Sequence, residues 1–261
     1  MRSYKNKTVL VTGASSGIGA AFARLLAAEG ANLVLTARSE GKLQELADAL
    51  VREHGVAVQV MPGDLGHTQT PRKLFEQTQK AGLEIDVVIN NAGFGKWGKF
   101  ESVDYETYQD MCQLNIHAVV ALTHLFLPGL LEKGDGGFIN VASTAAFQPV
   151  PFFATYSATK SFVLNFSEAL WAECKDRGVT VTCLCPGGTQ SNFHQVSKID
   201  PDKLVGLESP DKVAKLGLQA FLKGEMTVIS GLKNYLLANS SRFVTRRLVT
   251  QVTASMFKPT N

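Results

Sequence analysis

The chain has 261 residues, 45% of them hydrophobic, and a formal net charge of +3. That is enough apolar material for a sizeable core in one domain-length unit, and too little positive charge for a general nucleic-acid surface. The polar start, Met1 to Lys7, lacks the apolar core of a secretory signal, and the uncharged apolar runs are short, so no membrane-spanning helix is expected and a cytoplasmic setting is.

Residues 8–11 read as a β-branched strand that runs into Thr12-Gly13-Ala14-Ser15-Ser16-Gly17-Ile18-Gly19 and then a helical pattern over 18–29. Strand, glycine-rich turn and helix is the order a dinucleotide phosphate site requires. Gly13 permits the tight turn, while Gly17 and Gly19 let backbone approach a pyrophosphate. Further strands are predicted at 32–36, 56–61, 87–90, 137–141, 180–185 and 226–229, and helices at 42–54, 72–81, 105–133 and 156–177. Pro71 suits a first helical turn and Gly178 a helix end. Cys183 and Cys185 alternate along one strand and read as small buried hydrophobes; with Cys112 and Cys174 they show no metal-ligand spacing, so no metal is expected. Strand and helix alternate without linker or repeat. This predicts an α/β fold, a doubly wound parallel sheet of about seven strands with helices on both faces, in a single domain over 1–261. Residues 187–211 show no clear periodicity and are expected to lie over the site as a substrate lid.

The second strand ends in Leu35-Thr36-Ala37-Arg38-Ser39, with no carboxylate until Glu40. Selection of an unphosphorylated ribose usually places Asp or Glu there. Arg38 can instead pair with a 2′-phosphate, and Ser39 can add a hydrogen bond. NADP(H) is therefore the preferred cofactor and NAD(H) the alternative; Arg38 as a solvated turn residue is the plain structural reading. Tyr156 and Lys160 stand at i and i+4, so one helix face would carry a phenol beside an amine. An ammonium held there favours the phenolate and brings a group of ordinary pKa about 10 toward working pH. Ser143, thirteen residues before Tyr156, offers a hydroxyl.

Taken in order, these segments resemble the short-chain dehydrogenase/reductase family over about residues 5 to 230. The match rests on Thr12-Gly13-x-x-x-Gly17-x-Gly19, Asn90-Asn91-Ala92-Gly93, Ser143, Tyr156-x-x-x-Lys160, Leu114-Asn115-Ile116-His117 and Pro186-Gly187. The resemblance implies a Rossmann-like fold and hydride transfer between a nicotinamide and a carbonyl or alcohol carbon. It implies Tyr156 as general acid/base, Ser143 holding the reacting oxygen, Lys160 on the nicotinamide ribose and lowering the Tyr156 pKa, and Asn115 holding a water linked to Lys160. Cofactor contacts would come from Gly13, Ser15, Ser16, Gly17, Ile18, Gly19, Arg38, Ser39, Asp64, Leu65, Asn91, Ala92, Gly93, Tyr156, Lys160, Pro186, Gly187 and Thr189. Beside these roles stand plainer ones: Ser143 satisfying a turn, Asn115 bonding backbone at a helix kink, and Asp64 as a turn acid. Thr189 and Ser191 compete for the nicotinamide amide.

Around the expected site, Phe94, Trp97, Thr144, Ala145, Phe147, Val150, Phe152, Phe153, Phe193 and His194 form an apolar lining. It suits a ketone, aldehyde, ketoacyl or steroid-like substrate, although several of these rings are equally candidates for core or subunit contacts. From Met226 onward there is no acidic residue, while Lys233, Arg242, Arg246, Arg247 and Lys258 are basic. Phe243, Leu248, Val252 and Met256 recur at helical spacing, so 231–261 is predicted to be a basic amphipathic segment. It would dock on the domain, join subunits of a homodimer or homotetramer, or rest on an anionic membrane, the first two being favoured. The leading expectation is an NADP(H)-dependent carbonyl reductase. The alternatives are an NAD-dependent alcohol dehydrogenase on the same scaffold and a non-catalytic cofactor-binding regulator.

Overall fold

Alternation along β1 (Thr8–Thr12) sets the layering. Val9 and Val11 pack into one apolar cluster and Leu10 into another, on opposite faces of the sheet. The first cluster holds Phe22 and Leu26 of α1 (Gly17–Ala28), Leu43 of α2 (Glu40–His54) and Phe221 of α7 (Pro210–Leu222). The second holds Leu74 of α3 (Thr70–Lys80) and Leu122 and Phe126 of α5 (Ala118–Lys133). With both faces covered, the strands are buried apolar runs, and truncating a fully buried side chain such as Phe22 would cost ~3–5 kcal/mol.

In this computed structural model, which describes residues 1–190, 193, 197–199 and 207–259, the remaining strands are β2 (Asn32–Thr36), β3 (Val58–Val60), β4 (Val87–Asn90), β5 (Gly137–Val141), β6 (Thr180–Cys185) and β7 (Thr227–Ile229). They pair in parallel in the order β3-β2-β1-β4-β5-β6-β7. After β3 the chain crosses back to the far side of β1, so the loops leaving β1 and β4 diverge at the sheet's C-terminal edge. A crevice at that reversal is where ligands bind such sheets.

Element ends shift by up to three residues from the predicted ones: β3 is only three residues long, and the helix predicted over 156–177 spans Ala154–Cys174 before a 3-10 turn over Lys175–Arg177. The predicted 105–133 helix is one rod with a defect. It comprises α4 (Tyr105–Cys112), a π-helical turn (Gln113–His117) and α5. Contrary to the expectation from uncharged runs, this rod is long and apolar enough to cross a membrane by length and composition alone. Here its apolar side chains Met111, Leu122, Phe126 and Leu130 are buried within the fold.

α6 (Ala154–Cys174) carries Tyr156 and Lys160 in its first two turns. The C-terminal segment forms α8 (Leu232–Ser240) and α9 (Arg246–Phe257). The predicted apolar stripe of α9 does not face the body. Leu248, Val252 and Met256 are exposed, whereas Thr253 is buried and donates to the Pro149 carbonyl at 2.9 Å.

Candidate active site

A cleft of about 370 Å³ opens at the β1/β4 reversal. Seventeen of the eighteen residues expected to contact cofactor line the cleft, the exception being Gly19.

 Gly19 sits beneath the turn instead: a Cβ there would meet the Gly13 carbonyl oxygen at 2.3 Å. Gly13 and Gly17 both have positive φ, 66° and 55°, which an L side chain resists. Ser16 precedes α1 without a side-chain cap, so the first N–H groups of that helix take no acceptor from it. This is a cradle shaped for phosphate oxygens, and the dinucleotide fits it.

Thr12 ties the two diverging loops together. Its hydroxyl donates to the Ile89 carbonyl at 3.1 Å and accepts from the Asn91 and Ala92 N–H groups, each at 2.9 Å. The Asn91 side chain returns a bond to the Thr12 carbonyl at 2.8 Å. At the other end of the crevice, Arg38 is exposed and lines the cleft with Ser39, and among the described residues no carboxylate forms an ion pair with it. Asp64 also lines the cleft while accepting the Gly66 N–H at 2.9 Å, so it is a turn acid and a cleft residue at once.

Ser143, Tyr156 and Lys160 meet on the inner wall. Ser143 accepts the Ala145 N–H at 3.1 Å, and its hydroxyl lies close enough to Tyr156 to favour the ionised phenol. Lys160 is buried, donates to the Val141 carbonyl at 2.8 Å, and lies 5.8 Å from the centre of the Tyr156 ring. Burial pushes Tyr156 up to about 12, against a smaller lowering by Ser143, and pushes Lys160 down to about 8. The expected depression of Tyr156 by Lys160 is therefore not what the protein alone displays. Burial dominates both groups, and the Lys160 amine donates to a backbone carbonyl rather than to the phenol.

Asn115 does not line the cleft. It sits in the π-helical turn behind Gly93, where a Cβ would come within 2.9 Å of its Oδ1. Its amide brackets Phe94, accepting from the backbone N–H at 3.1 Å and donating to the carbonyl at 2.9 Å, with a third bond to Thr159 at 3.0 Å. The plainer role, a residue bonding backbone at a helix irregularity, is thus present in the fold.

Of the expected apolar lining, Phe94, Thr144, Ala145, Val150, Phe153 and Phe193 face the cleft, while Trp97, Phe147 and Phe152 do not. Phe147 packs beside Ala142 and Val163, and Phe152 holds a positive φ of 64° while its carbonyl accepts from Gly98. Trp97 packs behind the wall with Phe153 and Tyr156. Ser191 and His194 lie outside the described residues. Sequence reasoning missed Leu114, Ile199 and Phe257, which also line the cleft. It also missed Glu208, whose backbone pairs with Gly188 and Gln190 and whose carboxylate accepts from Ser230. Leu114 stands inside the Leu114-Asn115-Ile116-His117 segment but was not read as lining, and no local motif marks Ile199, Glu208 or Phe257.

The sheet order and the switch-point cleft define a Rossmann-like dinucleotide-binding scaffold. A family model described as short chain dehydrogenase matches residues 7–201, and the chain belongs to that family. A ketoacyl reductase, HetN, of Nostoc sp. is 34% identical over 230 residues, covering 88% of this chain and 79% of its own. A 7beta-hydroxysteroid dehydrogenase of Clostridium sardiniense is 31% identical over 226 residues, covering 86% and 85%. The solved structure of a short-chain dehydrogenase from Sphingobium yanoikuyae in complex with NADPH superposes with a TM-score of 0.84 at 31% identity, covering 93% and 94%.

Proposed function

We propose that this protein is an NADP(H)-dependent reductase of an apolar carbonyl compound, a ketone, aldehyde, ketoacyl or steroid-like molecule, with Tyr156 as its proton donor. One observation carries the reading: a single cleft holds Arg38 and Ser39 at one end and the Ser143–Tyr156 pair, walled by Phe94, Phe153 and Phe193, at the other. Relatives described as acting on ketoacyl and steroid substrates, and a neighbour solved with NADPH, support it.

The glycine turn and the start of α1 would hold the pyrophosphate, Arg38 and Ser39 the 2′-phosphate, and Lys160 the nicotinamide ribose. When bound, the nicotinamide supplies the hydride. The protein supplies the proton and the oxygen site. Tyr156, held protonated by burial, gives its proton to the carbonyl oxygen as charge grows there, and Ser143 donates a hydrogen bond to the same oxygen. Asn115 fixes the Phe94 backbone, and through it one wall of the substrate end.

The test is NADPH oxidation with a panel of apolar ketones, aldehydes and ketoacyl thioesters, in the native chain and in Tyr156→Phe. Turnover in the native chain, with a drop of at least ~100-fold in the variant at unchanged NADPH affinity, is the expected result. Near-normal turnover in Tyr156→Phe would refute the role of the phenol. Tighter binding of NADH than of NADPH would favour the alcohol dehydrogenase alternative.

A further inference from the structure

The last two helices carry an apolar face that no described residue covers. In α8, Leu232, Tyr235 and Leu236 stand at i, i+3 and i+4 and are 76%, 52% and 60% exposed. In α9, Leu248, Val252 and Met256 recur every fourth residue, each 49% exposed, and Phe243 in the turn between the helices is 87% exposed. Single exposed apolar side chains are ordinary, but a run of this size on consecutive elements marks an interaction surface.

The opposite faces of the same segment are anchored. Ser241 donates to the Phe147 carbonyl at 3.3 Å and Thr253 to the Pro149 carbonyl at 2.9 Å, so both helices sit on one stretch beside the cleft. Phe257, at the end of α9, lines the cleft itself. The segment is also uniformly charged: residues 226–261 hold five basic side chains and no acidic one.

We propose that the exposed face of α8 and α9 is an interfacial membrane-binding surface that seats the protein on an anionic lipid bilayer. The charge decides between occupants. A second copy related by a two-fold axis would bring the same five cations against themselves, which costs binding. Anionic headgroups neutralise them, while the leucines, Phe243 and Met256 enter the headgroup–acyl boundary and the Lys and Arg side chains reach back to the phosphates. Resting on the function proposed above, the arrangement also places the Phe257 end of the cleft next to the phase in which an apolar substrate dissolves.

The experiment is co-sedimentation of the full chain with phosphatidylcholine vesicles and with vesicles that also contain phosphatidylglycerol, beside size-exclusion chromatography and NADPH titration. The native chain is expected to partition onto the anionic vesicles, weakly onto the neutral ones, and less at high salt. Arg242→Glu with Arg247→Glu should reduce that partitioning more than about tenfold, and Leu236→Ser with Leu248→Ser should do likewise, with NADPH affinity and elution volume unchanged. A native chain that stays in the supernatant with anionic vesicles overturns the proposal. So do variants that keep full partitioning, or variants that change only the oligomeric size. Vesicle binding needs neither cofactor nor turnover, so its failure is distinct from failure of the reductase reading.

Discussion

Trp97 donates its indole N–H to the Phe257 carbonyl at 2.8 Å, joining the loop after β4 to the final helix across 160 residues of sequence. The bond explains why a residue outside the cleft matters to its shape. Phe257 completes the substrate end only while α9 is held against the body, and the Trp97 bond and the Thr253 bond to Pro149 are the polar ties that hold it. Trp97→Phe keeps an aromatic ring behind Phe153 and Tyr156 but deletes the donor. A bond of this kind is worth ~1 kcal/mol, so KM for an apolar substrate should rise about fivefold with NADPH affinity unchanged. Steady-state kinetics beside a cofactor titration checks both halves; an unchanged KM would show that α9 stays docked without this tie.

The proposed role of Arg38 in choosing the nucleotide predicts that Arg38→Asp reverses the preference. The variant removes a planar donor fork and sets a carboxylate against the 2′-phosphate. Loss of a charge-assisted bond is worth ~1.5–3 kcal/mol, about 10- to 100-fold in the NADPH dissociation constant, before any repulsion is added. NADH affinity should hold or improve, because Asp there can accept from the free ribose hydroxyl. Paired titrations with NADPH and NADH decide it, and unchanged NADPH binding would remove Arg38 from the site.

Much of this site was legible because its signals are local. The β1 turn, the Asn90-to-Gly93 segment and the Tyr156/Lys160 pair are each a few consecutive residues whose types dictate their geometry. What escaped reading depends on the rest of the fold. Nothing around Phe257 distinguishes it from an exposed helical residue; only the docking of α9 brings it to the cleft. The apolar period of α9 located the helix but not the face that docks, since the buried contact is made by the Thr253 hydroxyl. The Tyr156 ionisation was misjudged for a related reason. Spacing reveals a neighbouring amine but not the burial that raises the phenol to about 12.

Gly19 is a sharper test of the cradle than any glycine facing the ligand. Its missing side chain makes room for the Gly13 carbonyl, and a Cβ would lie 2.3 Å from that oxygen and 2.6 Å from the Asn91 amide nitrogen. Gly19→Ala must therefore push the β1 turn off the start of α1, at the ~1–3 kcal/mol typical of overpacking. The expected outcome is a Tm lower by several degrees together with a loss of NADPH affinity, read by thermal melts with and without nucleotide. A variant that melts like the native chain and still binds would mean that the turn relaxes without harm.

The proposed ribose contact of Lys160 predicts a pH limit on cofactor binding. Burial lowers it from its ordinary 10.5 to about 8, so the folded chain releases this proton in a range where the unfolded chain keeps it. Between about pH 8 and 10.5 the unfolded state binds more protons, and the contribution of this group to stability therefore rises with pH across that window. Function runs the other way. In the proposed role the charged amine donates to the ribose hydroxyls, while Tyr156, raised to about 12, stays protonated throughout. NADPH affinity should be level below pH 8 and then weaken, by up to about tenfold per pH unit, as the ammonium is lost. Lys160→Met should bind more weakly at pH 7 and show no such break. Dissociation constants measured from pH 6 to 10 on both proteins test this, and a native profile with no change through pH 8 would exclude the Lys160 ammonium as the ribose contact.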